Sequence, residues 1–343
     1  MKLFVCEYFT GGGLIGKDLS SNFIREGEMI IKSLLASLSK FQKTNQDIEF
    51  FFARDYRLRT KKFKNSCLYT PKKNIWSFWE SCIEKSDAFW PIAPETENIL
   101  ERLSQIAIKR KKILIGSLPK AIRQTKNKYL TNKILQRNRL PIIPSRIFKK
   151  ISPKFLKNLE KRNWILKPID GAGADEVFIL NKATKKIIDV IEKKIRNRMF
   201  ILQPYLAGQV MSLSAIFTKD DFIPLTCNKL IINPRKGSVH YQKIEVGGAE
   251  FLRNEMTRIV KKIHTAFGGL LGYVGIDFIK NRKNLVVLEI NPRLTTSYVG
   301  LARSINFNPV EIILKQFDKN YQNMREVKKR KLTVKKVVIN VSR

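Results

Sequence analysis

The chain has little of what several kinds of functional site are built from. It has four cysteines and two histidines in 343 residues. Cys6, Cys67, Cys82 and Cys227 lie far apart with no C-x-x-C pair, and His240 and His264 stand alone. Structural zinc needs closely spaced Cys and His ligands, so this spacing argues against it. Scattered single cysteines suit a reducing compartment, and the expectation is a cytoplasmic protein. No stretch approaches 18 uncharged apolar residues, so no membrane-spanning helix is expected. The apolar start, Leu3 to Cys6, is cut off by Glu7 and reads as a first strand rather than a secretory leader. Acidic residues are scarce as well: 29 Asp and Glu stand against 66 Lys and Arg, a formal net charge of +37.

What is present describes a globular protein. Apolar residues make up 43% and aromatics 10%, too hydrophobic for a disordered polyelectrolyte and wrong for a collagen, a coiled coil or a disulfide miniprotein. The length suggests two or three domains or lobes at roughly 150 residues each. The positive charge is uneven. Residues 1–50 are balanced, while residues 101–150 are crowded with Lys and Arg against Glu101 alone. No zinc finger, RNP-type aromatic strand or repeat accompanies the basic segments, so specific nucleic-acid binding is not expected; solvated faces and an anionic substrate account for the charge.

Strand–helix alternation runs through the first 115 residues. Strands are expected at 2–9 (running into Gly11-Gly12-Gly13), 47–53, 86–91 and 112–115. Helices fall at 22–40, where Phe23, Met29, Ile30, Leu34, Leu35 and Leu38 recur at helical spacing, and at 95–109. That alternation means a parallel α/β layer. Gly116 to Pro119 marks a boundary, and a basic helix over 120–138 follows. Strands at 164–168 and 176–180 flank a glycine loop, with a helix over 184–198 after them. Then come strands at 199–203 and 210–217, a long loop 228–249, a helix over 250–267 and a hairpin over 273–290. The tail 327–343 reads as a basic edge strand or a charged terminus.

Chemistry-bearing residues fall in four places. In the hairpin G-Y-V-G-I-D-F-I-K…L-V-V-L-E-I-N-P-R (272–293), side chains alternate, so Glu289 and Asn291 share a face. Asp277 falls opposite Leu288 or Glu289 and joins that face in the second register. Three hard oxygen donors suit Mg²⁺ held together with substrate phosphates. Both acids sit in otherwise apolar strands, where an unpaired carboxylate is costly. The second place is W-I-L-K-P-I-D-G-A-G-A-D-E-V-F-I-L (164–180): Lys167 in a strand before Gly171 and Gly173, a loop whose backbone N–H groups can lie over phosphates. It is not a Walker A loop, which requires G-K-[ST] before a helix. The third is Lys128, near the start of the basic helix. The fourth is F-I-L-Q-P-Y-L-A-G-Q-V (200–210), a strand ending in Pro and Gly that can bridge two lobes.

In this order and spacing the four segments resemble the ATP-grasp superfamily over roughly residues 110–312. Within it, E-Y-F-T-G-G-G (7–13) and E-I-N-P-R-L-T-T-S-Y-V-G-L (289–301) resemble the tyramine–glutamate ligases of methanofuran biosynthesis, including relatives in methylotrophic bacteria. The resemblance implies an α/β protein: an ATP-grasp fold, two α+β lobes sandwiching ATP, preceded by a Rossmann-like α/β domain. The divisions are 1–117 for the N-terminal domain, 118–199 for the first lobe and 200–343 for the second. It implies that Lys128 and Lys167 neutralise the ATP phosphates beside Gly171 and Gly173. Gln203, Pro204, Tyr205 and Leu206 would meet the adenine, with Gln203 and Gln209 standing where many of these enzymes carry acids. Asp277, Glu289 and Asn291 would hold Mg²⁺, or Mn²⁺ in its place, and Arg293 with Lys167 would act in catalysis.

The activity so implied is ATP-dependent carboxylate–amine ligation through an acylphosphate, joining the γ-carboxylate of glutamate to tyramine or tyrosine. The partners are then small molecules, without nucleic acid or membrane, and a homo-oligomer is open. Another amino-acid or peptide ligase of the same fold, or a non-catalytic polyanion-binding protein, are the alternatives. An aromatic amine needs an apolar slot, for which Tyr8, Phe9, Tyr241 and Tyr298 are candidates. Gly11 to Gly13 serve either substrate approach or a tight turn, and 228–249 either a lid or an excursion.

Overall fold

The architecture comes from a computed structural model, which describes residues 1–19, 22–58, 65–69, 74–149, 163–171, 177–180, 193, 198–235, 238–317 and 331–341. Of the expected helix over 184–198 only residues 193 and 198 are described, and residues 172–176 of the glycine loop, Gly173 among them, lie outside the described residues. The described part is built on three sheets.

The first is parallel, in the order β3-β2-β1-β4-β5: β1 Lys2–Glu7, β2 Glu49–Asp55, β3 Ser66–Tyr69, β4 Ala88–Ile92 and β5 Ile113–Leu114. The sequence reading missed β3 and the helix α2 (Ile75–Glu84) after it. Two aromatic-rich turns of helix are hard to tell from a buried strand by periodicity alone. Helix α1 (Asn22–Gln42) buries Ile24, Ile30, Ile31, Leu34, Leu35, Leu38 and Phe41, the stripe that a 3.6-residue period dictates. Helix α3 (Ile99–Lys109) packs on the other face of the sheet through Leu100, Leu103 and Ala107.

β1 is shorter than expected. After Glu7 the chain makes a π-helical turn, Phe9–Gly13, closed by the Gly13 N–H donating to the Tyr8 carbonyl at 2.9 Å. Gly12 has φ +101°, a left-handed conformation that favours glycine. A Cβ on Gly13 would meet the Tyr8 ring at 2.5 Å, and one on Gly11 would meet Ala53 Cβ at 3.1 Å. The glycine triplet therefore serves a turn packed against its own chain, the second of its two readings.

The expected basic helix is two helices, α4 (Pro119–Lys126) and α5 (Lys128–Arg137), broken at Asn127. Asn127 is extended, and its side chain caps α5 by accepting from the Leu130 N–H at 2.9 Å. The second sheet, in the order β6-β9-β7-β8, is formed by β6 Arg146–Phe148, β7 Trp164–Pro168, β8 Phe178–Leu180 and β9 Phe200–Pro204. Because β9 pairs with β6 and β7, the chain passes to the third sheet after Pro204 rather than at residue 200.

The third sheet is antiparallel, in the order β14-β13-β10-β11-β12-β15. Its strands are β10 Gln209–Phe217, β11 Phe222–Arg235, β12 Ser238–Val246, β13 Gly272–Lys280, β14 Leu285–Asn291 and β15 Val337–Asn340. The segment 228–249 is thus largely paired strand, neither of the two loop readings. A run such as K-L-I-I-N-P-R looks like a strand interrupted by a turn signal, yet the ladder continues through Pro234. The tail is an edge strand, since β15 pairs with β12. Alternation along β10 and β13 sends Met211, Leu213, Ala215, Val274, Ile276 and Phe278 to one face. There they meet Met256, Val260 and Ile263 of α6 (Arg253–Ala266). Ser212, Ser214 and Asp277 go to the other face. Short helices α7 (Tyr298–Ser304) and α8 (Pro309–Lys315) follow β14 and return to the first sheet. Leu294, Tyr298, Leu301, Val310 and Ile313 share one apolar cluster with Leu3, Val5, Ile31 and Leu34. No described helix is long and apolar enough to cross a membrane.

Candidate active site

The hairpin of β13 and β14 resolves the open register. Asp277 pairs with Glu289 and Gly275 with Asn291, while Phe278 pairs with Val287, leaving Leu288 as the extra residue of a bulge. The bulge puts both carboxylates on one face. Asn291 Nδ2 donates to Asp277 Oδ2 at 3.2 Å. Burial, and then the neighbouring charge of Glu289, push the Asp277 carboxyl up to about 7, against relief from Asn291 and Arg293. Two acids forced together in low dielectric with a third oxygen donor beside them suit a hard divalent cation. Among the described residues no three His, Cys, Asp or Glu cluster, so the trio with Asn291 is the donor set on offer.

Lys128 faces this trio from α5. Its Nζ lies 3.0 Å from Glu289 Oε1 and donates to the Gly171 carbonyl at 2.8 Å. Its own N–H donates to the Ile169 carbonyl at 2.8 Å, tying the start of α5 to the chain that leaves β7. Lys167, on β7, is buried; desolvation and then Lys128 bring its ammonium down to about 8, partly offset by Glu289. Lys128, Lys167, Gln203 and Glu289 line one small cavity between the second and third sheets. Two lysines of like charge, one of them desolvated, form a site short of an anion.

The remaining expected residues divide. Gln203 is buried and its amide donates to the Ile143 carbonyl at 3.3 Å. Pro204 ends β9, and the N–H of the exposed Tyr205 is engaged by the Asn163 carbonyl at 3.0 Å. Leu206 follows, half-buried. Gln209 Nε2 donates to the Leu230 carbonyl at 2.7 Å and to its neighbour Val210 at 3.1 Å, bracing β10 on β11. Arg293 is held bidentate by Glu95, Nε to Oε1 at 3.0 Å and Nη2 to Oε2 at 3.1 Å. Burial opposes its charge, but Glu95, with Glu289 and Glu26 behind it, raises its pKa.

A second cavity opens on the far side of the acid pair, against the N-terminal layer. Asp277, Glu289, Asn291 and Arg293 line it together with Glu7, Phe9, Phe23 and Glu26. Glu289 therefore borders both cavities. Sequence reasoning missed Glu7, Glu26 and Glu95 because no local pattern ties any of them to the hairpin; only the fold brings them to the end of β14. It also missed Arg198, whose Nη2 donates to the Asp170 carbonyl at 2.6 Å beside the glycine loop. Of the aromatic candidates, Phe9 lines the second cavity. Tyr298 does not: it is fully buried, edge-on to Tyr273. Tyr8 packs on Trp79 and Phe9, and the side chain of Tyr241 lies outside the described residues.

A family model for the ATP-grasp domain matches residues 125–297, and one for the domain that precedes it, pre ATP-grasp 3, matches residues 48–122. The chain belongs to the ATP-grasp family. Its matched span begins just before Lys128 and closes just past Arg293, so the lysine-lined cavity falls inside it, while the second cavity joins its end to residues of the N-terminal layer that precede it. Among curated proteins it is similar to the tyramine–L-glutamate ligases of Methanocaldococcus jannaschii and Methanocaldococcus fervens. The first is 27% identical over 96% of this chain and 93% of its own length. The second is also 27% identical, over 86% of this chain and 87% of its own length. Among solved structures, biotin carboxylase from Campylobacter jejuni in complex with β,γ-ATP superposes with a TM-score of 0.72 at 13% identity, covering 98% of this chain and 74% of that one. As an ATP-grasp ligase, the protein uses ATP and forms C–N bonds.

Proposed function

We propose that this ATP-dependent ligase joins the γ-carboxylate of glutamate to the amine of tyramine or tyrosine, releasing ADP and phosphate, in the making of methanofuran or an analogue of it. The single observation that carries the reading is the position of Glu289, bordering a lysine-lined cavity on one side and an acidic, aromatic cavity on the other. The names of the two archaeal relatives supply the substrates.

In this reading ATP lies against the second sheet, its adenine by Gln203 to Leu206 and Gln209. Its phosphates meet Lys128 and Lys167 below the loop that begins at Gly171 and includes Gly173. Asp277, Glu289 and Asn291 hold Mg²⁺, or Mn²⁺, which when bound supplies charge neutralisation at the transferring phosphate. The glutamate carboxylate attacks the γ-phosphorus, and ADP leaves. The amine then forms the C–N bond as the C–O bond to phosphate breaks. Lys167 supplies fixed positive charge where phosphoryl charge develops, and Arg293, oriented by Glu95, stabilises the acylphosphate. No covalent nucleophile on the protein is needed. The divisions at 1–117, 118–199 and 200–343 become, in this reading, a substrate-side domain and two nucleotide-binding lobes.

The test is ADP release from purified protein with ATP, Mg²⁺, glutamate and a panel of amines and amino acids. Release that requires glutamate together with tyramine or tyrosine supports the reading. Release with another pair replaces the substrates and keeps the chemistry.

A further inference from the structure

The cavity facing the N-terminal layer carries groups that the reaction chemistry leaves without a task. Phe9 and Phe23 stack there with ring centroids 4.9 Å apart and planes at 12°, and both are only half-buried. An aromatic pair left open to a cavity, rather than sealed in a core, presents an apolar face on which another ring can stack. Glu7 and Glu26 line the same space. Glu7 is held in place from one side, accepting from the Thr10 N–H and hydroxyl at 2.7 Å each. Its carboxylate rests on Gly27, where any Cβ would come within 2.5 Å of Oε2. Arg293 is the only cation among the described residues that line the cavity, and Glu95 already neutralises it with two hydrogen bonds. In a chain of net charge +37, a cavity of this kind is a local inversion of sign. It draws a cation in and disfavours a second carboxylate.

We infer that this end of the cleft is the acceptor subsite, and that it selects an arylalkylamine without a carboxylate. The ring lies on Phe9 and Phe23, and the ammonium is directed to Glu7 and Glu26. The inference rests on the ligase reading for the identity of the reaction, but it makes its own claim about binding. Tyrosine and tyramine share a ring and an amine and differ in one carboxylate. That carboxylate would enter beside Glu7 and Glu26, where the one cation among the described lining residues, Arg293, is already held by Glu95, so the subsite discriminates by the charge it rejects as much as by the ring it accepts.

The experiment measures amine binding by calorimetry to the full chain with Mg²⁺, glutamate and a non-hydrolysable ATP analogue, in parallel with ADP release. Tyramine and phenethylamine are expected to bind, with tyrosine weaker by about tenfold or more. Glu7→Gln and Glu26→Gln, which lie on different elements, are each expected to weaken tyramine by about tenfold and to narrow its advantage over tyrosine. Phe23→Ala weakens the arylalkylamines and leaves n-butylamine unchanged. Equal binding of tyrosine and tyramine, no binding of any amine, or carboxamide variants with unaltered selectivity would each overturn the inference. Amine binding with the expected selectivity, but no ADP release with any pair, would instead sink the ligase reading and leave the subsite in place.

Discussion

Lys128 Nζ bridges Glu289 Oε1 at 3.0 Å and the carbonyl of Gly171 at 2.8 Å, so one ammonium joins the acid pair of the third sheet to the loop that leaves the second. Both side chains are largely buried, and the pairing is charge-assisted at each end. In the proposed reading, a nucleotide entering this cavity would displace or share that ammonium.

Replacing Lys128 with Ala or Met is expected to lower kcat/KM for ATP by about 10² or more, the scale for removing a preorganised charge at a reacting phosphate. Glu289→Gln is expected to cost at least as much. The double variant should lose far less than the product of the two, because both remove parts of one unit. Steady-state ADP release measures all three, and additive losses would mean the two groups act independently.

Metal dependence separates the acids from the lysines. Chelation is expected to abolish ADP release and added Mg²⁺ to restore it. Asp277→Asn should shift the Mg²⁺ requirement upward, whereas Lys167→Ala should lower the maximal rate without moving it. A Mg²⁺ titration of each variant decides.

Removing Glu95 leaves the Arg293 guanidinium buried without its bidentate partner. Breaking a buried pair from one side costs about 3–5 kcal/mol, so Glu95→Ala is expected to lower the thermal midpoint by several degrees. The substitution also frees Arg293 to move, and activity should fall even where the fold survives. Thermal unfolding followed by circular dichroism, beside the ADP assay, distinguishes the two effects.

Glu7 makes the stability depend on pH. Burial above all, and then the charge of Glu28, raise its carboxyl from 4.5 to about 7, against its bonds to Thr10 and Phe9. The charge that acts on it is that of Glu28 on α1, which is itself paired with Arg54 of β2, and Glu26 of α1 lines the same cavity. The folded state holds this proton more tightly than the unfolded chain does. Stability from this group is therefore full below pH 4.5 and lost as pH rises through 7. The loss is on the order of 3 kcal/mol. Glu7→Gln should flatten that part of the profile in denaturant titrations from pH 4 to 8; an unchanged slope would assign the dependence elsewhere.

Gly208 lies where the chain passes from β9 to β10. A Cβ there would meet the Lys280 carbonyl at 2.6 Å and Ile279 Cγ2 at 2.7 Å. The first contact is backbone and cannot swing aside, so Gly208→Ala is expected to destabilise by about 1–3 kcal/mol. Equilibrium unfolding in urea measures it.

Much of the site could be read in the residues themselves. Acids embedded in apolar strands, a lysine before a glycine loop and a lysine at a helix start were legible as candidates, because each rests on a short-range rule of alternation or spacing, and the fold brings these side chains close to one another. The register of Asp277 was not decidable, since the bulge at Leu288 is a property of the pairing and not of either strand. The segment 228–249 was misread as loop because Asn233 and Pro234 are turn formers that here sit in a ladder. Glu7, Glu26 and Glu95 were invisible for a different reason. Their meaning comes from sheet order, which places β1 and β4 side by side and brings the end of β14 against them.

The apolar cluster shared by Leu3, Val5 and Ile31 with Tyr298, Leu301 and Ile313 bears on synthesis. The parallel sheet is made first, but one of its faces is completed only by side chains near the other end of the chain. On the ribosome, α1 can cover part of that face, while the rest waits until the segment after β14 has been made. A fragment carrying only the first sheet and its own helices would lack the apolar side chains of Leu294, Tyr298, Leu301, Val310 and Ile313 that complete this cluster. The N-terminal layer is thus sealed only when the segment after β14 docks on it.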